Sequence, residues 1–352
     1  MNNRSSLSRR SAVFGSLATV LMLATACGGS SEDGGSGSSG SGGTTKISFA
    51  LDWTPNTNHT GLYVAQQKGY FKDAGLDVTI LPYNSASPDT LVSAGSADFG
   101  ISFQDSFTVS KAAGANITSV LAVLQHWATE VAVKADRDDI TSPADLDGKT
   151  YGGFGAASEE PVMKKIIQNA GGKGDFKSVV LGTSAYEAMY SGKVDFTVPF
   201  VAWEGIEAEH AKEPLKTFKY TDFGFPDAYN VLVMGNDDWL KENPEAAKKF
   251  VTALQKGYQF AADSPDQAAQ DLIDANPGAF TDTSLVTESQ ALLAKSYLKD
   301  ADGTVGTQDA KTWEGFSNFL YEAGVLADAD GKKLTTAPDY STWWTDQYLA
   351  TS

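Results

Sequence analysis

The fold is decided by residues 46–81, which read KISFALDWTPNTNHTGLYVAQQKGYFKDAGLDVTIL. The segments 46–51 and 77–81 are short and rich in β-branched and aromatic residues, as β-strands are. Between them, residues 61–68 have the apolar spacing of a helix, and Gly75 supplies the glycine that commonly ends one. A strand, a helix and a second strand in this order predict parallel strands with a right-handed crossover.

The same alternation of strands and helices continues beyond this unit. The segment 93–100 (SAGSADFG) is echoed at 190–197 (YSGKVDFT), with a helix end, a glycine and a strand that carries Asp-Phe. Strands are predicted at 97–102, 117–124, 149–154, 178–181, 194–199 and 230–234. Helices are predicted at 88–94, 109–113, 160–171 and 184–191, and helices alone after residue 234, at 244–262, 265–276, 284–298, 311–323 and 340–349.

These patterns predict an α/β protein of two similarly built lobes. One lobe comprises residues 46–133 plus 234–352 and the other comprises 134–233, so two crossovers join them. In a sheet with this topology, ligands bind in the cleft beside the carboxyl ends of the strands.

The first 26 residues have the pattern of a signal peptide. Three arginines precede an apolar stretch over 12–24 that ends in small residues. Cys27 follows directly, and residues 23–27 (LATAC) resemble the bacterial lipobox, so we expect cleavage before Cys27 and its lipidation. An ordinary secretory signal with a chance cysteine is the alternative, and the Sec and twin-arginine routes both stay open. The Gly- and Ser-rich stretch that follows predicts a flexible tether over 27–44.

The composition excludes several functional classes. The formal net charge of −17 would repel phosphate backbones, so nucleic acid is not expected as a partner. With one cysteine and three histidines, the chain offers no disulfide and no thiolate metal site, and we expect neither a metal nor a cofactor. The glycines at 152–155 look like a nucleotide loop, but the acids at 159 and 160 argue against phosphate binding there.

A family resemblance rests on residues 51–65 (LDWTPNTNHTGLYVA), 68–71 (KGYF) and 74–78 (AGLDV). These segments resemble the NMT1/THI5-like solute-binding proteins of ABC transporters, and weaker matches at 95–100, 145–153 and 203–205 extend the resemblance over about 46 to 260. The resemblance implies the type II periplasmic-binding-protein fold, in which two α/β lobes joined by a two-segment hinge close on a ligand. It also implies a monomer that is anchored to the outer face of the cell membrane and serves ABC permease and ATPase subunits.

The resemblance narrows the ligand to a small aromatic heterocycle. The most similar members bind thiamine pyrimidine precursors such as formylaminopyrimidine or hydroxymethylpyrimidine, whereas other relatives bind riboflavin, sulfonates or nitrate. One branch is enzymatic and synthesises the pyrimidine with a lysine, a histidine and a cysteine-rich iron motif. Here Ser102 and Ser106 stand at the lysine and histidine positions, and Cys27 is the one cysteine. We therefore expect a binding protein and not an enzyme.

Eleven candidate ligand-contacting residues follow predicted strands or flank the cleft: Asp52, Trp53, Asn56, Ser102, Gln104, Trp127, Gly155, Glu159, Trp203, Glu204 and Tyr229. The indole rings can stack on a flat ligand, although packing against the protein is an equal alternative for Trp53. Asn56 can instead cap a helix. Ser102, Gln104 and the neighbouring Asp105 follow the third strand and are placed over the cleft, but they can also belong to an ordinary turn. Glu204 is the strongest polar candidate, because a carboxylate beside an indole can accept two N–H groups of an aminopyrimidine. Its alternative role is that of an acid in the first turn of a helix.

Overall fold

The computed structural model describes residues 43–83 and 86–350. The predicted signal peptide, Cys27 and the tether as far as residue 42 lie outside the described residues. The strands in the described part are β1 Thr45–Ala50, β2 Leu76–Leu81, β3 Phe99–Ser102, β4 Ile117–Ala122, β5 Glu130–Lys134, β6 Thr150–Gly153, β7 Lys177–Val180, β8 Leu215–Lys219 and β9 Leu232–Asn236.

The α-helices alternate with the first strands and dominate after β9. They are α1 Thr60–Gln67, α2 Tyr70–Asp73, α3 Pro88–Ser93, α4 Gln104–Ala112, α5 Glu159–Asn169, α6 Ala185–Tyr190, α7 Glu204–His210, α8 Asp237–Glu242, α9 Pro244–Asp263, α10 Pro265–Ala275, α11 Thr283–Ser296 and α12 Ala310–Glu322. Short 3₁₀ turns occur at Thr57–His59, Pro143–Leu146, Gly182–Ser184, Tyr220–Phe223 and Tyr340–Thr342.

Five strands form the main sheet, in the order β2-β1-β3-β9-β4. β1 pairs in parallel with β2 and β3, as the sequence predicts, but β9 pairs antiparallel with both β3 and β4. The prediction of a wholly parallel sheet is therefore wrong at β9. All five residues of β9 are buried, including the polar Asn236, and its sequence has no feature that marks strand direction.

The remaining strands form two small sheets, with β5 antiparallel to β8 and β6 parallel to β7. The predicted strand 194–199 is wrong as a regular element, because its residues make only isolated bridges, from Phe196 to Tyr151 and from Thr197 to Ala132. The Asp195 carboxylate accepts hydrogen bonds from the Thr150 amide and the Arg137 guanidinium. This segment therefore lies between the two small sheets and links them.

Two main apolar clusters hold these layers. The larger one centres on Phe250 of α9, whose ring packs against Phe99 with 4.3 Å between ring centroids. The second lies beneath the small sheets and contains Tyr151 and Phe196 together with Phe316 of α12. α12 also places Trp313 in a third cluster next to the main sheet. The predicted lobe boundaries stay a prediction, and α12 contributes side chains to clusters on both sides of them.

The C-terminal segment is less helical than its sequence predicts. The predicted helix 340–349 is wrong beyond a single 3₁₀ turn, which the Asp339 carboxylate caps at the Ser341 amide. After this turn, Trp344 makes an isolated bridge to Ser119 of β4, so the chain end extends along the edge of the main sheet. Across residues 43–83 and 86–350, no helix is long and apolar enough to cross a membrane.

Candidate functional site

A cavity of about 290 Å³ lies where several segments that follow strands come together. Its wall includes residues after β1, β3, β4 and β6 and residues at the start of α7, which is the position that this topology favours for a ligand. Seven of the eleven predicted residues line it: Asp52, Trp53, Asn56, Trp127, Glu159, Trp203 and Glu204.

The cavity is acidic. Asp52, Asp105, Glu159 and Glu204 all contribute to its wall, and among the described residues that line it none is lysine, arginine or histidine. The site can therefore accept hydrogen bonds from N–H groups strongly, whereas an anionic ligand would meet four carboxyl groups without a compensating positive side chain.

Asp52 is held by a buried histidine. The Nε2 atom of His59 lies 2.7 Å from one carboxylate oxygen of Asp52, and the His59 side chain is fully buried. Asn56, which also lines the cavity, uses its side chain locally, because its carbonyl oxygen accepts from the Asn58 amide and its amide group donates to the Thr54 carbonyl. Asn56 is thus a helix cap at the edge of the cavity, which is the alternative role considered for it.

Asp105 lies in the first turn of α4 and bonds across the cavity. Its carboxylate accepts a hydrogen bond of 2.7 Å from the Ser158 hydroxyl, which belongs to the loop before α5. Burial raises the pKa of Asp105, and the hydrogen bond from Ser158 opposes that effect. The contact joins a segment that follows the main sheet to one that follows the small sheets.

Glu159 organises the loop after β6. Its carboxylate accepts hydrogen bonds from the Tyr151 hydroxyl (3.0 Å) and from the amides of Phe154 (2.8 Å) and Ala156 (2.7 Å). Both oxygens are therefore used within the protein. A Cβ on Gly153 would clash with the Glu159 carboxylate, so glycine is required at that position for this arrangement.

Glu204 begins α7 with its carboxyl inside the protein. One oxygen accepts a hydrogen bond of 3.0 Å from the backbone amide of Phe200. Burial raises the pKa of Glu204 from 4.5 to about 7, although this backbone hydrogen bond acts in the opposite direction. Both the neutral and the ionised forms are accessible near neutral pH, so Glu204 can donate to a ring nitrogen or accept from an amine.

Aromatic side chains supply most of the remaining wall. The Trp53 ring lies 5.6 Å from that of Tyr83, and Trp203 packs edge-on against Phe280 at 6.2 Å. Trp127 packs against Phe316 at 5.0 Å, and its indole N–H is buried with no hydrogen-bond partner in the described structure. A buried donor without a partner indicates a position that a ligand acceptor would satisfy.

Two of the predicted residues are excluded from the cavity lining by their hydrogen bonds to the scaffold. The Gln104 side chain accepts from the Tyr229 amide (2.8 Å) and donates to the Thr312 carbonyl (3.3 Å). The Tyr229 hydroxyl donates to the Asp309 carboxylate (3.0 Å) and accepts from the Asp309 amide (2.7 Å). These hydrogen bonds join the segment before β9 to the region of α12. The polar groups of Gln104 and Tyr229 therefore already have partners within the protein.

Ser102 and Gly155 also lie outside the lining. Ser102 is the last residue of β3 and is buried, and its hydroxyl faces the Phe103 carbonyl at 3.4 Å. Gly155 has a φ of 98°, a conformation that turns the loop, and it is its neighbours Phe154 and Ala156 that line the cavity.

Sequence reasoning missed several lining residues, among them Tyr151, Tyr186 and Tyr220, which carry hydroxyl groups. Asp105, the residue directly after Gln104, is the one of the three polar candidates after β3 that lines the cavity, although the sequence predicts the helix to begin only at residue 109. The three tyrosines lie in β6, in α6 and in a 3₁₀ turn, and they become neighbours only through the tertiary fold. Within the described ranges there is no group of three or more His, Cys, Asp or Glu side chains placed to hold a metal ion.

The comparisons with known proteins agree with this architecture. A family model described as NMT1/THI5 like matches residues 56–268. The chain belongs to the NMT1/THI5-like family. A formylaminopyrimidine-binding protein of Halalkalibacterium halodurans is 30% identical to this family member over 280 residues, which cover 78% of the chain and 84% of the relative.

A second relative is an enzyme. It is a 4-amino-5-hydroxymethyl-2-methylpyrimidine phosphate synthase of Saccharomyces cerevisiae, 28% identical over 328 residues that cover 87% of this NMT1/THI5-like chain and 88% of the synthase. Among solved structures, a Candida albicans protein described as having the generic periplasmic-binding-protein fold aligns with a TM-score of 0.64 at 18% identity, over 87% of this chain and 98% of that one. The predicted α/β periplasmic-binding-protein fold is confirmed.

Proposed function

We propose that this protein is the substrate-binding component of an ABC importer and that it captures a thiamine pyrimidine precursor, formylaminopyrimidine or hydroxymethylpyrimidine. The observation that carries the proposal is the composition of the cavity: four carboxyl groups and several aromatic rings, with no lysine, arginine or histidine among its described lining residues. The 30% identical formylaminopyrimidine-binding protein supports the same ligand class.

An aminopyrimidine suits this cavity chemically. Its exocyclic amine presents N–H groups that carboxylates accept in short, charge-assisted hydrogen bonds. Its ring can stack on the indoles of Trp53 or Trp203, and ring nitrogens or a formyl oxygen can accept from the unpartnered N–H of Trp127. Glu204 can match either the amine or a ring nitrogen, because its pKa of about 7 leaves both protonation states accessible.

The alternative ligands fit less well. A sulfonate or nitrate needs a positive or N–H-rich site, and four carboxyl groups oppose it. Riboflavin carries three fused rings and a sugar-alcohol chain, whereas a cavity of about 290 Å³ lies at the lower end of the range for ligand pockets and matches a single-ring compound.

The protein is a binding protein and not a pyrimidine-synthesising enzyme. Ser102 and Ser106 occupy the positions of the lysine and histidine used by the enzymatic branch, and Ser106 lines the cavity whereas Ser102 does not. Cys27 is the one cysteine of the chain, so the cysteine-rich motif of that branch is missing.

The proposal includes a location outside the cytoplasm. The signal peptide pattern of residues 1–26 and the lipobox-like sequence ending at Cys27 support export and lipid anchoring. The tether would let the binding domain reach the permease subunits in the membrane, which work with ATPase subunits on the cytoplasmic side. Metabolic labelling with a fatty acid tests this part: the wild-type chain should incorporate label and Cys27→Ser should not.

Calorimetric titration of the purified, signal-free protein tests the ligand. We expect saturable binding of formylaminopyrimidine or 4-amino-5-hydroxymethyl-2-methylpyrimidine at one molecule per chain, without turnover, and no heat with riboflavin or an alkanesulfonate. Native mass spectrometry of protein that retains its co-purified ligand provides an independent identification. Tighter binding of riboflavin or a sulfonate, or no binding of either pyrimidine, would refute the proposal.

A further inference from the structure

His59 contacts one of the two carboxylate oxygens of Asp52. His59 is fully buried, and its Nε2 atom approaches a single oxygen of the Asp52 carboxylate at 2.7 Å. Among the described residues the other Asp52 oxygen has no hydrogen-bond partner, while Asp52 itself lines the cavity. A carboxylate oxygen without a partner at a cavity wall is a free acceptor for a ligand N–H group.

The second contact of the His59 ring identifies its tautomer. The backbone amide of Asn56 lies 3.3 Å from Nδ1 of His59, and a backbone N–H can only donate. Nδ1 is therefore the acceptor, and the ring proton resides on Nε2, where it is donated to Asp52. Asn56 and His59 form a reciprocal capping box at the start of the Thr57–His59 turn, which fixes the ring orientation.

The turn that carries His59 is itself held rigidly. The Tyr258 hydroxyl of α9 donates a hydrogen bond of 2.8 Å to the Asn58 carbonyl. A Cβ on Gly61 would clash with the Tyr258 ring, and one on Gly257 would clash with the Gly61 carbonyl, so α1 and α9 approach as closely as glycine allows. The imidazole is thus anchored through two helices of the scaffold.

We propose that His59 is a positioning residue: it holds one oxygen of Asp52 so that the other faces the cavity as a fixed acceptor for an N–H group of the ligand. The inference rests on the proposed function, because it assigns a role within the same site. His59 itself does not line the cavity, so it acts on ligand selection through Asp52.

Two substitutions separate the two contacts of the ring. His59→Asn keeps an acceptor close to the position of Nδ1, and so the capping box, but is too short to reach Asp52. His59→Gln places an N–H group near the position of Nε2 and keeps the donor. His59→Met, an apolar side chain of similar length, is measured alongside, so that a folded variant without the donor is available even if one of the others does not fold.

The affinity of the full-length purified protein for 4-amino-5-hydroxymethyl-2-methylpyrimidine is measured by calorimetry, together with the melting temperature. We expect His59→Asn and His59→Met to weaken binding about tenfold, the range for a hydrogen bond to a charged group, and His59→Gln to restore most of the affinity. The same His59 substitutions are also measured in an Asp52→Asn background, which offers the ligand an amide group instead of the carboxylate acceptor. There they should change the affinity less than about twofold, because the effects of two coupled residues are not additive.

The outcomes distinguish this inference from the proposed function. If the wild-type protein binds no aminopyrimidine, the proposed function falls and this inference falls with it. Three results would overturn the positioning role alone, provided that the wild type binds. The folded His59 variants could bind as tightly as the wild type, or their loss of affinity could be the same with Asp52 and with Asn at that position. The third such result is a His59→Gln variant that binds no more tightly than His59→Met.

Discussion

Replacing Glu204 with glutamine should stabilise the protein above neutral pH. Burial raises the pKa of this carboxyl from 4.5 to about 7. Between these two values the folded chain binds more protons at this site than the unfolded chain does, so the free energy of unfolding falls as pH rises. The sign is opposite to that of an ion-paired carboxylate, which stabilises the folded state when it is ionised.

The size of the effect follows from the pKa displacement. One pH unit corresponds to about 1.4 kcal/mol, so ionised Glu204 costs on the order of 3 kcal/mol above pH 7. Because the carboxyl faces a cavity that admits water, we expect Glu204→Gln to gain about 2 to 3 kcal/mol at pH 8. Glutamine can keep the oxygen that accepts from the Phe200 amide at 3.0 Å, so the change removes the charge without removing this hydrogen bond.

Urea-induced unfolding at pH 4.5 and at pH 8 measures the gain. The variant should exceed the wild type by about 2 to 3 kcal/mol at pH 8 and by well under about 1 kcal/mol at pH 4.5, where the wild-type carboxyl is protonated in the folded state and partly protonated in the unfolded chain. Glu209→Gln, at an exposed position of the same helix, is the matched control and should show no such pH-dependent gain. An equal gain at both pH values, or a less stable variant at pH 8, would refute the reasoning.

Three other substitutions, at Glu204, His210 and Gly153, should also have measurable effects. Glu204→Ala should lower aminopyrimidine affinity more than tenfold, on the order of 1.5–3 kcal/mol, in a calorimetric titration, and unchanged affinity would remove Glu204 from the site. Hydrogen bonds to Asp282 and then Glu288 raise the pKa of His210, so the advantage of the wild type over His210→Gln should be complete below pH 6.5 and shrink as pH rises further; melting curves that differ equally at pH 6 and pH 9 would contradict this. Gly153→Ala should lower both the melting temperature and ligand affinity, because its methyl group would displace the carboxylate that organises the loop after β6. Gly315→Ala, inside α12 and with its nearest neighbour at 3.5 Å, should lower neither, because alanine is favoured over glycine within a helix. Wild-type behaviour of Gly153→Ala would argue against that arrangement.

The sequence was most informative where local pattern and tertiary role coincide. Residues 45–81 form the predicted strand, helix and strand, because alternating apolar residues, a capped turn and Gly75 all favour the same structure. The prediction of Asp52 and Trp53 at a cavity followed from their place just after a strand. Glu204 was found by the same reasoning. It begins α7 and it lines the cavity, so its place in the first turn of a helix is confirmed and its contact with a ligand stays a prediction.

The predictions failed where contacts between residues far apart in the sequence determine the structure. Gln104 and Tyr229 follow or precede strands as binding residues do, but they bond to each other, an arrangement between positions 125 residues apart that no local pattern reveals. The segment 194–199 has strand-like residues, yet it contacts two different sheets through single bridges. β9 is buried on both faces, so its direction depends on where the returning chain enters the sheet.

The position of β9 in the main sheet also affects how the protein folds. This strand separates β3 from β4, although about 110 residues lie between β4 and β9 in the sequence. The N-terminal part of the polypeptide therefore cannot complete its sheet until residue 236 has been synthesised, and the large sequence separation of these pairings favours slow folding. A proteolytic cut between β4 and β9 would leave two fragments that must reassociate to restore the sheet.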